Sequence, residues 1–131
     1  MTEGSQSARP PDEIAALAKH ELRFWDLAEP LLAQPGVSRS TMMGLPCLRI
    51  NGAFFTSWDR RTGSLLVKLP EAEVNELTAT GRAESFAPSG RRFREWAAIP
   101  PARSRSWRPL MSRARTYVAS LPPAAKAKHS R

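Results

Sequence analysis

The residues of this sequence that are best suited to a chemical task are arginines in its last third. Residues 91–131 contain eleven lysines and arginines but a single acid, Glu95, whereas residues 1–90 contain nine cations and eleven acids. Guanidinium groups bind phosphate oxygens and release counterions from nucleic acid, which gives affinity without sequence preference. The sequence therefore predicts non-specific DNA binding by Arg91, Arg92, Arg94, Arg103, Arg105, Arg108, Arg113 and Arg115.

The same arginines have an explanation that requires no ligand. The formal net charge is +8, but sixteen of the twenty cationic residues are arginine, and alanine and proline are abundant. A GC-rich genome gives this composition to many proteins, whatever they bind. Arginines on the last helix could simply form its solvated face, and both explanations stay open at this level.

A second predicted site mixes cations with aromatic rings on one face of a sheet. It consists of Arg49, Phe54, Trp58 and Lys68. Sheets of this kind can stack single-stranded bases, and they can also bind a protein partner or a small ligand. Alternatively, a loop, the terminal helix or a second subunit covers these aromatics, which makes a homodimer compatible with the sequence. No particular protein partner is indicated.

Residues for catalysis or metal binding are sparse. Cys47 is the single cysteine, and the two histidines, His20 and His129, lie far from it in sequence. A nucleophilic cysteine needs a neighbouring base, so a buried, unreactive Cys47 is expected. No HExxH, CxxC or glycine-rich phosphate loop occurs. We therefore expect a protein without enzymatic activity, cofactor or metal.

Length and hydropathy favour one domain in the cytoplasm. A chain of 131 residues can bury a core without disulfides or metals. No apolar run approaches the ~20 residues of a membrane span, and the first residues lack the apolar core of a signal peptide. Residues 1–10 and 122–131 are polar or basic and are predicted to be disordered, which leaves a domain over residues 11–121.

The segment from Thr41 to Leu69 predicts the centre of that domain. Asn51-Gly52 lies between two apolar runs and suits a two-residue hairpin turn with positive φ at both positions. Such a turn pairs Ile50 with Ala53, Arg49 with Phe54 and Leu48 with Phe55. The predicted core face carries Leu48, Ile50, Ala53, Phe55, Leu65, Val67 and Leu69, and the predicted outer face carries Cys47, Arg49, Phe54, Thr56, Trp58, Leu66 and Lys68.

Helices and further strands are predicted on both sides of this segment. Pro11 opens a first helix whose apolar face comprises Ile14, Leu17, Ala18, Leu22, Trp25, Ala28 and Leu32, with a kink or early end at Pro30. An additional strand is predicted at 39–43, with a break at 44–46. A short helix follows Pro70, a loop covers 82–94, and a last strand covers 95–99. A final helix should bury Trp107, Leu110, Tyr117 and Val118, with Arg105, Arg108, Arg113 and Arg115 opposite.

This order predicts a two-layer α+β fold, a largely antiparallel β-meander packed against N- and C-terminal helices. Over roughly residues 12–121 the chain resembles the MmcQ/YjbR-like family and the related N-terminal domain of TfoX-type regulators. The resemblance rests on residues 41–55, on Leu66-Val67-Lys68-Leu69-Pro70, on Phe86-Ala87-Pro88 and on Arg94-Glu95-Trp96. It implies a small domain often described as DNA-binding, with no established enzymatic activity.

Overall fold

Six antiparallel strands and three α-helices make up residues 10–122, the part of the chain that the computed structural model describes. The predicted disorder of 1–10 and 122–131 concerns segments outside this range, apart from Pro10 and Pro122. In chain order the elements are α1 (Pro11–Leu32), β1 (Val37–Met42), β2 (Leu45–Ile50), β3 (Ala53–Asp59), β4 (Ser64–Lys68), α2 (Glu71–Ala79), β5 (Glu84–Ser85), β6 (Trp96–Ile99), a 3-10 helix (Pro101–Ser106) and α3 (Trp107–Ala119).

The strands lie in the order β1-β2-β3-β4-β6-β5, and every neighbouring pair is antiparallel. The predicted fold class is therefore confirmed. The first four strands form a meander, and β6 then pairs with β4 on one side and with β5 on the other. The short strand β5 lies within the segment predicted to be a loop, because two residues are too few to give an alternating pattern.

Two tight hairpins set the register of the first three strands. Asn51 and Gly52 both have positive φ, 53° and 86°, and Ile50 pairs with Ala53 as predicted. Met43 and Gly44 form an equivalent turn, with φ of 54° and 77°, so β2 begins at Leu45 without the predicted break. Glycine suits the second position of each turn because it adopts positive φ without steric cost.

A β-bulge in β3 changes which side chains face the core. Leu48 pairs with Thr56 and not with Phe55, although Arg49 still pairs with Phe54 as predicted. Phe55 is therefore an extra residue on β3, and the alternation of faces reverses after it. The predicted outward orientation of Thr56 and Trp58 is wrong for this reason, since Thr56 pairs with Val67 and Trp58 with Leu65 on the core side.

The main core lies between the sheet and the helices α1 and α3. All seven residues predicted for the core face are there, together with Trp58. Trp58 is 1% exposed, and its indole N–H donates a hydrogen bond to the Gly63 carbonyl at 3.1 Å. Trp107 of α3 is fully buried and donates to the Ile99 carbonyl at 3.2 Å. These two indoles, which are the most deeply buried, thus each have a hydrogen-bond partner, as burial requires.

Helix α1 presents only part of the predicted face to the core: Ala28 is buried and Leu17, Trp25 and Leu32 pack against the core. Its buried residues are Phe24, Leu27, Ala28 and Leu31, while Ile14 and Leu22 are 53% and 65% exposed. Apolar residues cover most of this helix, so periodicity alone does not distinguish the two faces. The helix also continues past Pro30 to Leu32, because a proline near the end of a helix removes a hydrogen bond without requiring the helix to stop.

Helix α3 docks as predicted, with three corrections, the first being that Arg105 lies in the preceding 3-10 helix and not on α3. Trp107, Met111, Ala114 and Val118 are buried, whereas Leu110 and Tyr117 are half-buried at its flank. Arg115 does not lie opposite this apolar face. It follows Ala114 directly, is half-buried, and has a buried Nε with no hydrogen-bond partner among residues 10–122.

Candidate nucleic-acid interface

The face of the sheet opposite the helices is covered by its own side chains and by one returning loop. Leu66, Phe86, Trp96 and Ala98 form a small buried cluster there, and Phe54 and Met42 pack against it. The loop closes when the Phe93 N–H donates to the Phe86 carbonyl at 2.9 Å, with the two rings edge to face. This cover leaves little flat aromatic surface on which a base could stack.

The predicted sheet-face site is not assembled as expected. Trp58 lies in the core, and Lys68 is only 5% exposed, with its charge compensated by an ion pair with Glu95 at 2.9 Å. Arg49 and Phe54 remain together, with the guanidinium 4.3 Å from the ring centroid, and both are half-buried. The structure therefore brings together two of the four predicted residues.

Lys68 and Glu95 belong to a polar link between the sheet and α3. The Tyr117 hydroxyl donates to Glu95 Oε2 at 3.0 Å, while Lys68 Nζ donates to Oε1. Burial lowers the pKa of Lys68, and Glu95 opposes that shift. Burial and Glu95 together raise the pKa of Tyr117 to about 12, so its proton stays in place at neutral pH. Both partners hold Glu95 in position, which is a structural role.

Cys47 is another buried group whose pKa is shifted by burial. The side chain is fully buried, and burial raises the pKa of its thiol to about 11 against the opposing effects of Arg49 and Ser40. The thiolate, which is the nucleophilic form, is therefore scarce at neutral pH. Within residues 10–122 no group of three or more His, Cys, Asp and Glu side chains is arranged to hold a metal ion.

The predicted arginines divide into those that the protein itself engages and those that it leaves exposed. Arg92 donates a hydrogen bond to Asn75 of α2, and Arg113 forms an ion pair with Glu73 of the same helix. Arg115 is half-buried, as described above. The others are exposed and form no ion pair with a side chain of residues 10–122; they are Arg91, Arg94, Arg103, Arg105 and Arg108.

Helix α2 lies between two groups of these arginines. On one side, Asn75 touches the loop that carries Arg91, Arg92 and Arg94. On another, Leu77 lines a cleft together with Arg103 and Arg105. An α-helix with its side chains is about 10–12 Å wide, which sets the scale of the separation between the two groups.

Arg82 is a cleft residue that the sequence did not single out. It follows Gly81, whose φ of 75° ends α2, and its Nε donates to Thr80 Oγ1 at 2.9 Å. The count of charge beyond residue 90 excluded it, although a cation directly after a helix C-terminus is a recognisable signal. The cleft lies between α2, the 3-10 helix and α3, with a volume of about 380 Å³.

Two other cavities have less to offer a ligand. One, of about 340 Å³, is lined by Asp59, Ser64 and Glu84. The Asp59 carboxylate already accepts hydrogen bonds from the Nε and the backbone N–H of Arg61, each at 3.0 Å. The other, of about 470 Å³, lies beside His20 and Asp26 of α1, where exposed charges of both signs line it.

Comparison of the chain with family models, with curated proteins and with solved structures finds no match in any of the three. No helix within residues 10–122 combines the length and apolar character needed to cross a membrane.

Proposed function

We propose that the protein binds double-stranded DNA weakly and without sequence preference, through exposed arginines on both sides of α2. Five arginines carry the proposal because their guanidinium groups are exposed and form no ion pair within residues 10–122. An arginine without an acidic partner can bind phosphate without first breaking an existing bond. These residues are Arg91, Arg94, Arg103, Arg105 and Arg108.

The charge around α2 favours a weak interaction over a strong one. Three acids, Glu71, Glu73 and Glu76, lie on the helix between the two arginine groups. Arg113 pairs with Glu73, and Arg82 lies 3.8 Å from Glu76, so two of the three are partly compensated. The residual negative charge opposes phosphate and limits affinity.

Phosphate contacts alone also explain the expected lack of specificity. Sequence is read when side chains reach base edges in a groove, whereas phosphate contacts only position the protein. The resemblance to MmcQ/YjbR-like proteins, which we propose as the family of this chain, adds support, since such domains are often described as DNA-binding.

The proposal is tested by fluorescence anisotropy with a labelled duplex of arbitrary sequence over a range of salt concentrations. If all five arginines contact phosphates, log K should fall with log salt with a slope of about 4–5. The triple variant Arg103→Gln, Arg105→Gln, Arg108→Gln should lower that slope by about 2–3 and weaken binding to every duplex alike.

The matched control removes three other exposed cations by Lys19→Gln, Arg23→Gln and Arg60→Gln. It changes the net charge equally, but on α1 and on the turn after β3. Binding by the arginines beside α2 requires that the control keep a slope close to that of the unmodified protein. Equal losses in both variants would show only a general charge effect, and no binding at low salt would end the proposal.

A further inference from the structure

The cleft beside α2 has the size and the lining of a small-ligand site. Its volume of about 380 Å³ lies near the lower end of the range for small-molecule pockets. The end of α2, the 3-10 helix and the first turn of α3 form its walls. A duplex is too wide to enter it, so any occupant is a molecule of a different kind from the polyanion proposed above.

Apolar groups and guanidinium groups line different parts of this cleft. Leu77, Pro109 and Leu110 supply apolar surface, and Leu110 packs against the main core. Three cations, Arg82, Arg103 and Arg105, also line it. A purely aliphatic or aromatic ligand would offer these guanidinium groups no hydrogen-bond acceptor. An inorganic anion would leave the apolar surface uncovered.

The arginines of the cleft are only partly occupied by the protein. Arg82 is held by Thr80, and its second nitrogen lies 3.8 Å from Glu76. Arg103 and Arg105 form no side-chain hydrogen bond or ion pair within residues 10–122. The first turns of the 3-10 helix and of α3 contain no acid that could compensate them. The cleft is therefore electropositive around an apolar floor.

We propose that this cleft binds a small organic anion. Its ring or branched apolar body rests on Leu77 and Leu110, and its carboxylate, sulfonate or phosphate group accepts hydrogen bonds from Arg103 and Arg105. Charge complementarity selects the anionic group, because charge-assisted hydrogen bonds to guanidinium are strong. Planar rings also stack on guanidinium planes, which favours an aromatic body.

Two fluorescent probes that share an aromatic body test this assignment. Anilinonaphthalene sulfonate carries an anionic group, and phenyl naphthylamine has the same ring system without it. Titration of the intact protein should show one saturable site for the sulfonate, with the neutral amine binding about tenfold or more weakly. Inorganic phosphate at the same concentration should not displace the sulfonate, because it lacks the apolar body.

Arginine variants locate the site. The double variant Arg103→Gln, Arg105→Gln should bind the sulfonate about tenfold or more weakly, with the neutral amine little changed. The control Arg91→Gln, Arg94→Gln makes the same change of charge outside the cleft and should retain the affinity. Circular dichroism and thermal unfolding confirm that both variants remain folded, since partly unfolded protein also binds such dyes.

Equal affinity for the two dyes, or equal losses in the two double variants, would overturn the proposal. It does not rest on duplex binding, and the two can fail separately. Saturable sulfonate binding lost on Arg103 and Arg105 substitution, without any duplex binding, would remove the proposed function and retain the cleft as a ligand site. Duplex binding without a saturable sulfonate site would overturn the cleft proposal and leave the proposed function standing.

Discussion

The two faces of the sheet are buried in different ways. The face beneath α1 and α3 is filled by large apolar side chains such as Phe55, Leu65 and Trp58. The opposite face has one returning loop as its cover, and across its centre Cys47, Ser57 and Leu66 lie side by side on three strands. Two helices and large apolar side chains cover the first face, whereas one loop covers the second, where buried polar groups form internal hydrogen bonds.

Because of this difference, substitutions should destabilise the two faces by different mechanisms. On the helix-covered face, a lost side chain leaves a cavity. On the loop-covered face, polar groups are buried with partners, as when the Ser57 hydroxyl donates to the Pro46 carbonyl at 2.7 Å. There, a lost partner leaves an unsatisfied group, and its effect depends on which partner is removed.

The largest expected effect tests the assignment of Trp58 to the helix-covered face. Trp58→Ala should lower the free energy of unfolding by about 3–5 kcal/mol, because it leaves a cavity and an unpaired Gly63 carbonyl. Phe54→Ala on the opposite, half-buried surface should cost only about 1–2 kcal/mol. Denaturant titration of both variants measures the contrast. If Trp58→Ala costs no more than Phe54→Ala, the reversal of faces at the bulge is wrong.

A pH dependence should arise from Cys47 on the loop-covered face. Its pKa rises from 9.0 to about 11 on burial, so between these values the folded protein keeps a proton that the unfolded chain loses. Stability is therefore full below about pH 9 and falls as pH rises toward about pH 11, by roughly 2–3 kcal/mol from this group. Unfolding of the unmodified protein and of Cys47→Ala, each at about pH 8 and pH 11, isolates the effect. The alanine variant should lose less stability over the interval, and equal losses would contradict a protonated, buried thiol.

Substitution of Glu95 should lower the free energy of unfolding more than substitution of its partner Lys68. Glu95→Gln removes the partner of an almost fully buried ammonium group and should cost about 1–2 kcal/mol. Lys68→Met leaves Glu95 half-exposed and hydrogen-bonded by Tyr117, so it should change stability by less than about 1 kcal/mol. Thermal unfolding at neutral pH compares the two variants. A larger loss for Lys68→Met would mean that the lysine stem, and not its charge, is what the face requires.

The smallest expected effect concerns the Met43-Gly44 turn, which joins β1 to β2. Met43 has a left-handed φ of 54°, and its side chain is 59% exposed. Met43→Asn should stabilise the protein by about 0.5–1 kcal/mol, because asparagine tolerates this conformation better. Met43→Ala serves as the control, since it keeps the strain and should give no gain. Equal melting temperatures for all three proteins would show that the turn is not strained.

Local signals predicted much of this fold from the sequence. Asn51-Gly52 identified a hairpin, Pro70 the start of α2, and Gly81 its end, because each residue type acts on its own backbone. The bulge at Phe55, the burial of Phe24, Leu27 and Leu31 on α1 and the place of β6 beside β4 were beyond such reasoning. Each depends on packing between segments distant in sequence, which periodicity does not record.

The candidate site was predictable in composition but not in arrangement. The sequence identified Arg103 and Arg105, yet it could not show that Glu73 would engage Arg113 or that Arg82 would join the cleft. It also grouped Lys68 and Trp58 by alternation, which the bulge invalidates. Pairing of charges is a property of surfaces that form only after folding, so a charge count sets an upper limit on available cations.

Because of the bulge at Phe55, deletion of a single residue should have different effects at different positions of β3. On either side of Phe55, the strand alternates regularly between the two faces, and that residue is the point at which the alternation is out of step. Removing Phe55 alone would keep Phe54, Thr56 and Trp58 on their present faces. Removing Thr56 would also restore the alternation, whereas removing an interior residue outside this pair would turn part of the strand inside out. A natural relative one residue shorter in this strand would therefore be expected to have a single core-facing residue where this chain has Phe55 and Thr56.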